Sequence, residues 1–85
     1  MTKVFFTPNT QKILSKLKDK KLEKRIKDAK NKLEQNPYAG KKLMGKLAGQ
    51  YALRLWPYRI IYFLSQQKDV VITDIGHRKD IYRKF

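Results

Sequence analysis

Apolar residues in the first half of the chain recur at the spacing of amphipathic helices. The first stripe comprises Ile13, Leu14 and Leu17. The second, with gaps of four, three and four residues, comprises Leu22, Ile26, Ala29 and Leu33. Thr7 can cap the first helix with Pro8 at its opening position, and Asn36 before Pro37 ends the second. The pattern predicts a helical hairpin with one apolar seam.

The hydrophobic period changes from helical to two after residue 50. Residues 51–55 and 58–64 alternate and are rich in aromatic and β-branched side chains, and 70–75 form a similar run. Residues 3–6 make a further short apolar stretch. These four segments are predicted to be strands.

Glycines punctuate residues 37–50, which are predicted to be a loop anchored to the core by Leu43 and Leu47. The predicted order is β-α-α-β-β-β. Strands and helices in this order predict an α+β fold, in which one antiparallel sheet packs on the helical hairpin. The length suits a single domain over residues 1–85.

A pair of arginines stands out in the predicted hairpin. If Trp56 and Pro57 form a two-residue turn, Arg54 lies opposite Arg59 on the face shared by Ala52. The other face is apolar and is expected to take the helices; it comprises Tyr51, Leu53, Leu55, Tyr58, Ile60, Tyr62 and Leu64. Like charges directly opposite one another are destabilising. The arginine face is therefore a candidate for binding an anion, unless both side chains simply splay into solvent.

The last predicted strand determines where the C-terminal polar residues point. If Asp74 avoids the core, alternation turns Val71, Thr73 and Ile75 toward the helices. Gly76 and Arg78 then leave the sheet on the arginine side, with Tyr82 four residues further on. We expect Arg54, Arg59, Arg78, Tyr82 and His77 to converge on one phosphate-sized spot.

Composition supports an anionic partner without choosing one. The 85 residues include 21 Lys or Arg and 7 Asp or Glu, for a formal net charge of +14. Such a charge attracts nucleic acid, acidic proteins or anionic membranes, and a lysine-rich solvated helix surface is the structural alternative. Arginine offers phosphate a planar fork where lysine offers a point charge. The sparse arginines are therefore the more informative cations.

Several classes of site are excluded by what the sequence lacks. It has no cysteine, and His77 is the only histidine, so disulfides, thiolate zinc sites and multi-histidine metal sites are ruled out. We expect no metal and no cofactor. No apolar run approaches a membrane span, and the apolar N-terminal stretch is too short for a secretory signal. A cytoplasmic protein without a membrane partner is expected.

Metal-free RNA cleavage is one chemistry that suits the predicted spot. The ribose 2′-hydroxyl attacks its own phosphate, which requires a base, positive charge for the phosphorane, and an acid for the leaving oxygen. Arginines stabilise the charge, and Tyr82 or His77 can exchange protons. Each also has a plainer interpretation, because a lone loop histidine is usually a cap and Tyr82 can simply pack beside Ile81.

Four segments carry a resemblance to a known family. Residues 49–55 (GQYALRL), 58–62 (YRIIY) and 76–82 (GHRKDIY), preceded by 43–47 (LMGKL), resemble the RelE/ParE superfamily of type II toxins. The resemblance covers nearly the whole chain and implies a compact, microbial RNase-like fold. Its RelE branch implies ribosome-dependent cleavage of mRNA in the ribosomal A site.

The RelE branch also implies roles for particular residues. Arg54 and Arg59 match basic residues that orient and stabilise the phosphate. Arg78 matches a residue assigned to charge stabilisation or leaving-group protonation, and Tyr82 one that stacks on RNA or aids proton transfer. Some members use a histidine in this tail, which makes His77 a candidate.

One departure concerns Ala52, where several RelE proteins carry a second basic residue. Lys42 or Lys46 in the predicted loop can compensate, and with Lys79 they are the candidate lysines for binding RNA or the ribosome. The family implies a cognate, RelB-like antitoxin in a hetero-oligomer, besides the ribosome and its mRNA. The ParE branch instead implies a DNA gyrase inhibitor, and a non-catalytic RNA- or ribosome-binding module is a third possibility.

Overall fold

The computed structural model of the protein describes residues 2–81, apart from the side chain of Arg78. Within these residues, five strands form one sheet in the order β1-β5-β4-β3-β2. The elements are β1 (Val4–Phe6), α1 (Pro8–Lys16), α2 (Lys20–Gln35), β2 (Lys41–Lys42), a 3₁₀ turn (Gly45–Leu47), β3 (Gln50–Leu55), β4 (Tyr58–Leu64), β5 (Val70–His77) and α3 (Arg78–Ile81). The α+β class and the helical hairpin are confirmed.

The sheet is mixed rather than wholly antiparallel. β1 lies at the edge and pairs in parallel with β5, whereas the β2–β3, β3–β4 and β4–β5 pairs are antiparallel. The alternation of side chains is the same in parallel and antiparallel strands, so the sequence pattern carries no signal for this orientation. The predicted loop over 37–50 also contains the short strand β2, which adds to the far edge.

A side-chain cap starts each of the two long helices, and the cap of α1 is the predicted Thr7. The Thr7 hydroxyl accepts a hydrogen bond from the Thr10 amide at 3.3 Å, and Pro8 opens α1. The Asp19 carboxylate accepts from the amides of Lys21 and Leu22 and so starts α2. These side chains satisfy backbone donors that have no partner within the helix.

The main core lies between the helical hairpin and one face of the sheet. The four-residue stripe of α2 is buried, and the predicted apolar face of β3 and β4 packs against it. The buried members of this core are Leu22, Ile26, Ala29, Leu33, Leu53, Leu55, Ile60, Tyr62, Val70, Ile72 and Ile75. The predicted α1 stripe packs at its margin.

The predicted register of β5 was wrong over its first half. Val70 and Ile72 are fully buried in the main core, in place of Val71 and Thr73. Tyr62 pairs with Ile72, but its neighbour Ile61 pairs with Asp74, so Thr73 is an extra residue on β5. This bulge shifts the alternation by one residue, and beyond it Ile75 faces the helices as predicted.

The opposite face of the sheet carries a second, smaller core. Ile81 of α3 is fully buried against Ala52 and Ile61, with Leu43 packed beside them. Helical structure therefore lies on both faces of the sheet, in contrast to the prediction of one covered face. β5 also extends to His77, two residues beyond its predicted end.

No helix within the described part of the chain is long and apolar enough to cross a membrane.

Candidate phosphate-binding site

The predicted arginine pair is formed. Arg54 of β3 lies directly opposite Arg59 of β4, because Trp56 and Pro57 form the two-residue turn between the strands. Arg54 is exposed and Arg59 is half-buried. Gly76 of β5 lies beside Arg59, and the Ile81 side chain packs over this glycine, 3.2 Å from where a Cβ would lie.

A basic depression surrounds the arginine pair. It has a volume of about 420 Å³ and lies along the edge of β3. Its lining residues are Lys32, Ala39, Lys41, Ala52, Leu53, Arg54 and Arg59. We call it the basic cleft: of the lining side chains just named, four are cations and none is acidic. Converging cations in a concave site favour an anionic ligand, since low-dielectric walls focus the field.

The sequence analysis missed two lysines of the basic cleft, Lys32 of α2 and Lys41 of β2, and Lys41 is the one that belongs to the sheet. It pairs with Ala52 across the β2–β3 ladder and therefore shares the face of the arginines, whereas Lys42 pairs with Tyr51 on the other face. Lys41 thus places a basic side chain directly beside Ala52, the position at which the RelE pattern has a basic residue. The sequence gives only a weak signal for the orientation of Lys41, because β2 is two residues long and shows no periodicity.

A buried tyrosine fixes the segment that leads into Lys41. The Tyr62 hydroxyl donates to the Pro37 carbonyl and accepts from the Gly40 amide, both at 2.9 Å. A Cβ added at Gly40 would lie 2.6 Å from that hydroxyl, so only glycine fits there. Burial raises the pKa of Tyr62 above its usual value of 10.0, partly offset by the Gly40 hydrogen bond.

The hairpin tip extends the basic surface beyond the cleft. Trp56 is 49 % exposed, and the Arg54 guanidinium carbon lies 5.6 Å from the centre of its ring. Arg25 of α2 donates a 2.6 Å hydrogen bond to the Trp56 carbonyl. The tip is therefore held by α2 on one side and contacts the cleft on the other.

His77 lies apart from the arginine pair. Its register partner is Tyr58, which places it on the helix-covered face, and the two rings meet edge to face at 5.9 Å. Its Nδ1 accepts a hydrogen bond from the Lys79 amide at 3.2 Å. The expected convergence therefore does not include His77, whose observed contact is that of a cap on the turn into α3.

Comparison with known proteins agrees with this geometry. Residues 4–82 match the family described as the ParE toxin of the type II toxin-antitoxin system, parDE. The chain belongs to the RelE/ParE superfamily of type II toxins. Toxin RelG of Mycobacterium tuberculosis (strain ATCC 25618 / H37Rv) is 35 % identical over 83 residues, which cover 95 % of each chain.

Solved structures of the superfamily share the fold. The toxin–antitoxin complex RelBE2 from Mycobacterium tuberculosis superposes with a TM-score of 0.78 at 32 % identity, covering 91 % of this chain and 98 % of that one. The isolated RelE toxin of E. coli superposes with a TM-score of 0.76 at 22 % identity, covering 99 % and 94 %. The second likeness supports the fold alone.

The remaining residues expected from the RelE/ParE resemblance are placed unevenly. Lys46 in the 3₁₀ turn and Lys79 in α3 are exposed, and neither lines the basic cleft. Arg78 opens α3, but its side chain is not described, and Tyr82 lies outside the described residues. Within residues 2–81, no group of three or more His, Asp or Glu side chains is placed to hold a metal ion.

Proposed function

We propose that this toxin is a ribosome-dependent endoribonuclease that cleaves mRNA in the ribosomal A site. The observation that carries the proposal is the arginine pair within the basic cleft. Two like charges held opposite each other cost stability, and a bound phosphate offsets that cost by neutralising both. The charge of +14 also favours docking among ribosomal RNA phosphates.

The proposed reaction is an internal displacement at phosphorus. The 2′-oxygen forms a bond to phosphorus as its proton passes to a base, and the bond from phosphorus to the 5′-oxygen breaks as that oxygen takes up a proton. Arg54 and Arg59 stabilise the charge of the phosphorane. Lys41 adds a third positive charge to the same face. Arg78 and Tyr82 take the acid and proton-transfer roles that the family resemblance implies.

We further propose an acidic, RelB-like antitoxin as partner. The comparison structure from M. tuberculosis is a toxin–antitoxin complex, and the present chain is strongly basic. An acidic partner is therefore favoured by charge as well as by family. A toxin acting on ribosomes belongs in the cytoplasm.

A second candidate function is inhibition of DNA gyrase. The observation that favours it is the match to the family described as ParE toxins over residues 4–82. Ala52, which replaces a basic residue of the RelE pattern, points the same way. Against it stands the retained arginine pair, which gyrase inhibition does not require.

Primer extension on an mRNA in a translation extract tests the proposal. The protein is expected to produce cuts only when ribosomes translate. Replacing either Arg54 or Arg59 by Gln removes a donor to the developing charge and is expected to slow cleavage about 10²- to 10³-fold. The matched control is Lys24→Gln, which removes one charge from an exposed part of α2.

The control variant should cut nearly as fast as the unmodified chain. Equal losses in the α2 variant and the arginine variants would show that overall charge, not the pair, supports the reaction. Growth arrest without any cuts, accompanied by loss of supercoiling activity in a gyrase assay, would replace the nuclease by the gyrase inhibitor.

A further inference from the structure

The exposed tryptophan at the hairpin tip has no part in the phosphate chemistry described above. Trp56 is the single tryptophan of the chain, and about half of its surface is accessible although Arg54 lies against its ring. Large exposed aromatic side chains beside clustered cations are the usual components of single-strand RNA sites, where bases stack and phosphates pair with cations.

We propose that Trp56 stacks on an RNA base next to the phosphate held by Arg54 and Arg59, and so helps to select the nucleotides at the cut. This inference rests on the proposed function, because it takes the occupant of the basic cleft to be RNA.

The position of Trp56 supports a base rather than another phosphate. Its ring is apolar and lies 5.6 Å from the Arg54 guanidinium, within the range of a cation–π contact. A phosphate bound by Arg54 would therefore lie next to the Trp56 ring. The base of the nucleotide that carries this phosphate could then stack on the flat face of the indole. Every base has a π face, so this contact requires no particular hydrogen-bond pattern, and differences in stacking strength give it a modest preference among bases.

The basic surface continues from the cleft toward the tip. A smaller depression of about 250 Å³ adjoins it at Lys32, Leu53 and Arg54, and it is also lined by Arg25 and by one carboxylate, that of Asp28. Arg25 also holds the Trp56 carbonyl. A strand of RNA leaving the cleft in this direction thus remains close to cations until it reaches the tryptophan.

The tip is held by backbone contacts that do not need the indole. Arg25 bonds to the carbonyl of Trp56, and the strand pairs flanking the turn are made by Leu55 with Tyr58 and Arg54 with Arg59. Truncating the side chain at Trp56 should therefore leave the hairpin and the arginine pair in place. This makes Trp56→Ala a usable test, with Trp56→Phe as the conservative variant.

The experiment measures binding of a short 2′-O-methyl RNA, which lacks the attacking hydroxyl and remains intact. With the unmodified chain, this RNA is expected to quench the tryptophan fluorescence, whereas inorganic polyphosphate binds without quenching. By anisotropy of labelled RNA, Trp56→Ala should weaken binding roughly 5- to 100-fold, and Trp56→Phe should restore most of it.

The salt dependence separates stacking from a structural effect. Trp56→Ala should leave the slope of log Kd against log salt unchanged and should not alter binding of polyphosphate, because no phosphate contact is lost. Arg54→Gln should reduce the slope for RNA by about 0.7. If Trp56→Ala weakens polyphosphate and RNA equally, the indole only positions Arg54 and the inference is wrong.

The remaining results separate the stacking inference from the nuclease proposal. RNA binding that is unaffected in Trp56→Ala, or quenching by an acidic peptide but not by RNA, overturns the stacking role. A chain that binds and quenches as expected but makes no cuts in translated mRNA overturns the nuclease and leaves the RNA-stacking site. If cuts do occur, Trp56→Ala should change their distribution among sequence positions while Arg54→Gln slows them all.

Discussion

The two faces of the sheet are built from the same strands but are closed in different ways. On one face, α1 and α2 bury a continuous apolar layer that includes the fully buried Ile60 and Tyr62. On the other, among the residues that the structure describes, Ile81 and Leu43 cover Ala52 and Ile61, and the surface beside them is cationic. Alternation along β3 and β4 therefore assigns stability to one face and ligand binding to the other.

The largest stability effect should come from the helix-covered face. Leu33 of α2 is fully buried, so Leu33→Ala removes packing and leaves a cavity, which typically costs about 2–5 kcal/mol of unfolding free energy. That is a large share of the total for a small domain. Urea unfolding followed by circular dichroism measures it, and the variant of the exposed neighbour, Lys32→Ala, gives the reference.

The comparison of the two faces also predicts that Leu33→Ala should leave RNA affinity unchanged. Under conditions in which the variant is still folded, its RNA affinity should match that of the unmodified chain, because Leu33 does not line the basic cleft. A loss of affinity that exceeds the unfolded fraction would show that the two faces are not separable.

A smaller loss of stability should come from changing Tyr62. Its ring is buried on the helix-covered face, but its hydroxyl holds the segment that leads to Lys41 of the basic cleft. Tyr62→Phe removes the hydrogen bonds to Pro37 and Gly40 and leaves both backbone groups without that partner, at a cost of about 1–3 kcal/mol. Because these bonds fix the segment before Lys41, RNA affinity should also fall. Tyr38→Phe, at an exposed tyrosine, is the control.

The difference in unfolding free energy between the unmodified chain and Tyr62→Phe should depend on pH, and the pKa of Tyr62 gives the direction. Burial raises the pKa of Tyr62 above 10.0 in the folded chain, so as the pH rises past that value the unfolded chain loses the phenolic proton first. The contribution of Tyr62 to stability is complete below pH 10.0 and falls as the pH rises through the raised pKa. The stability gap between the unmodified chain and Tyr62→Phe should therefore narrow in alkali. A constant gap would contradict this.

The contrast between the faces also shows what the sequence can predict. Arg54 opposite Arg59 follows from a two-residue turn and strict alternation, and the burial of the α2 stripe follows from its spacing. Both are local patterns, in which neighbours along the chain set the geometry.

What escaped prediction depends on contacts between distant segments. The extra residue at Thr73 reversed the expected orientation of Val70 and Val71, and nothing in the local alternation marks it. The parallel pairing of β1 and the placement of Lys41 beside Ala52 likewise depend on how separate segments meet.

The smallest predicted effect concerns Lys41 and Lys42, two neighbours on β2 whose side chains lie on opposite faces of the sheet. Lys41→Gln removes a cation from the basic cleft and should weaken RNA binding by about 1 kcal/mol, roughly fivefold, while lowering the salt slope by about 0.7. Lys42→Gln makes the same change of charge on the other face and should alter neither quantity measurably, provided that long-range attraction is screened in moderate salt. Titrations of labelled RNA at several salt concentrations measure both. Equal effects of the two substitutions would show that the field of the whole chain, and not the register of β2, determines how RNA is held.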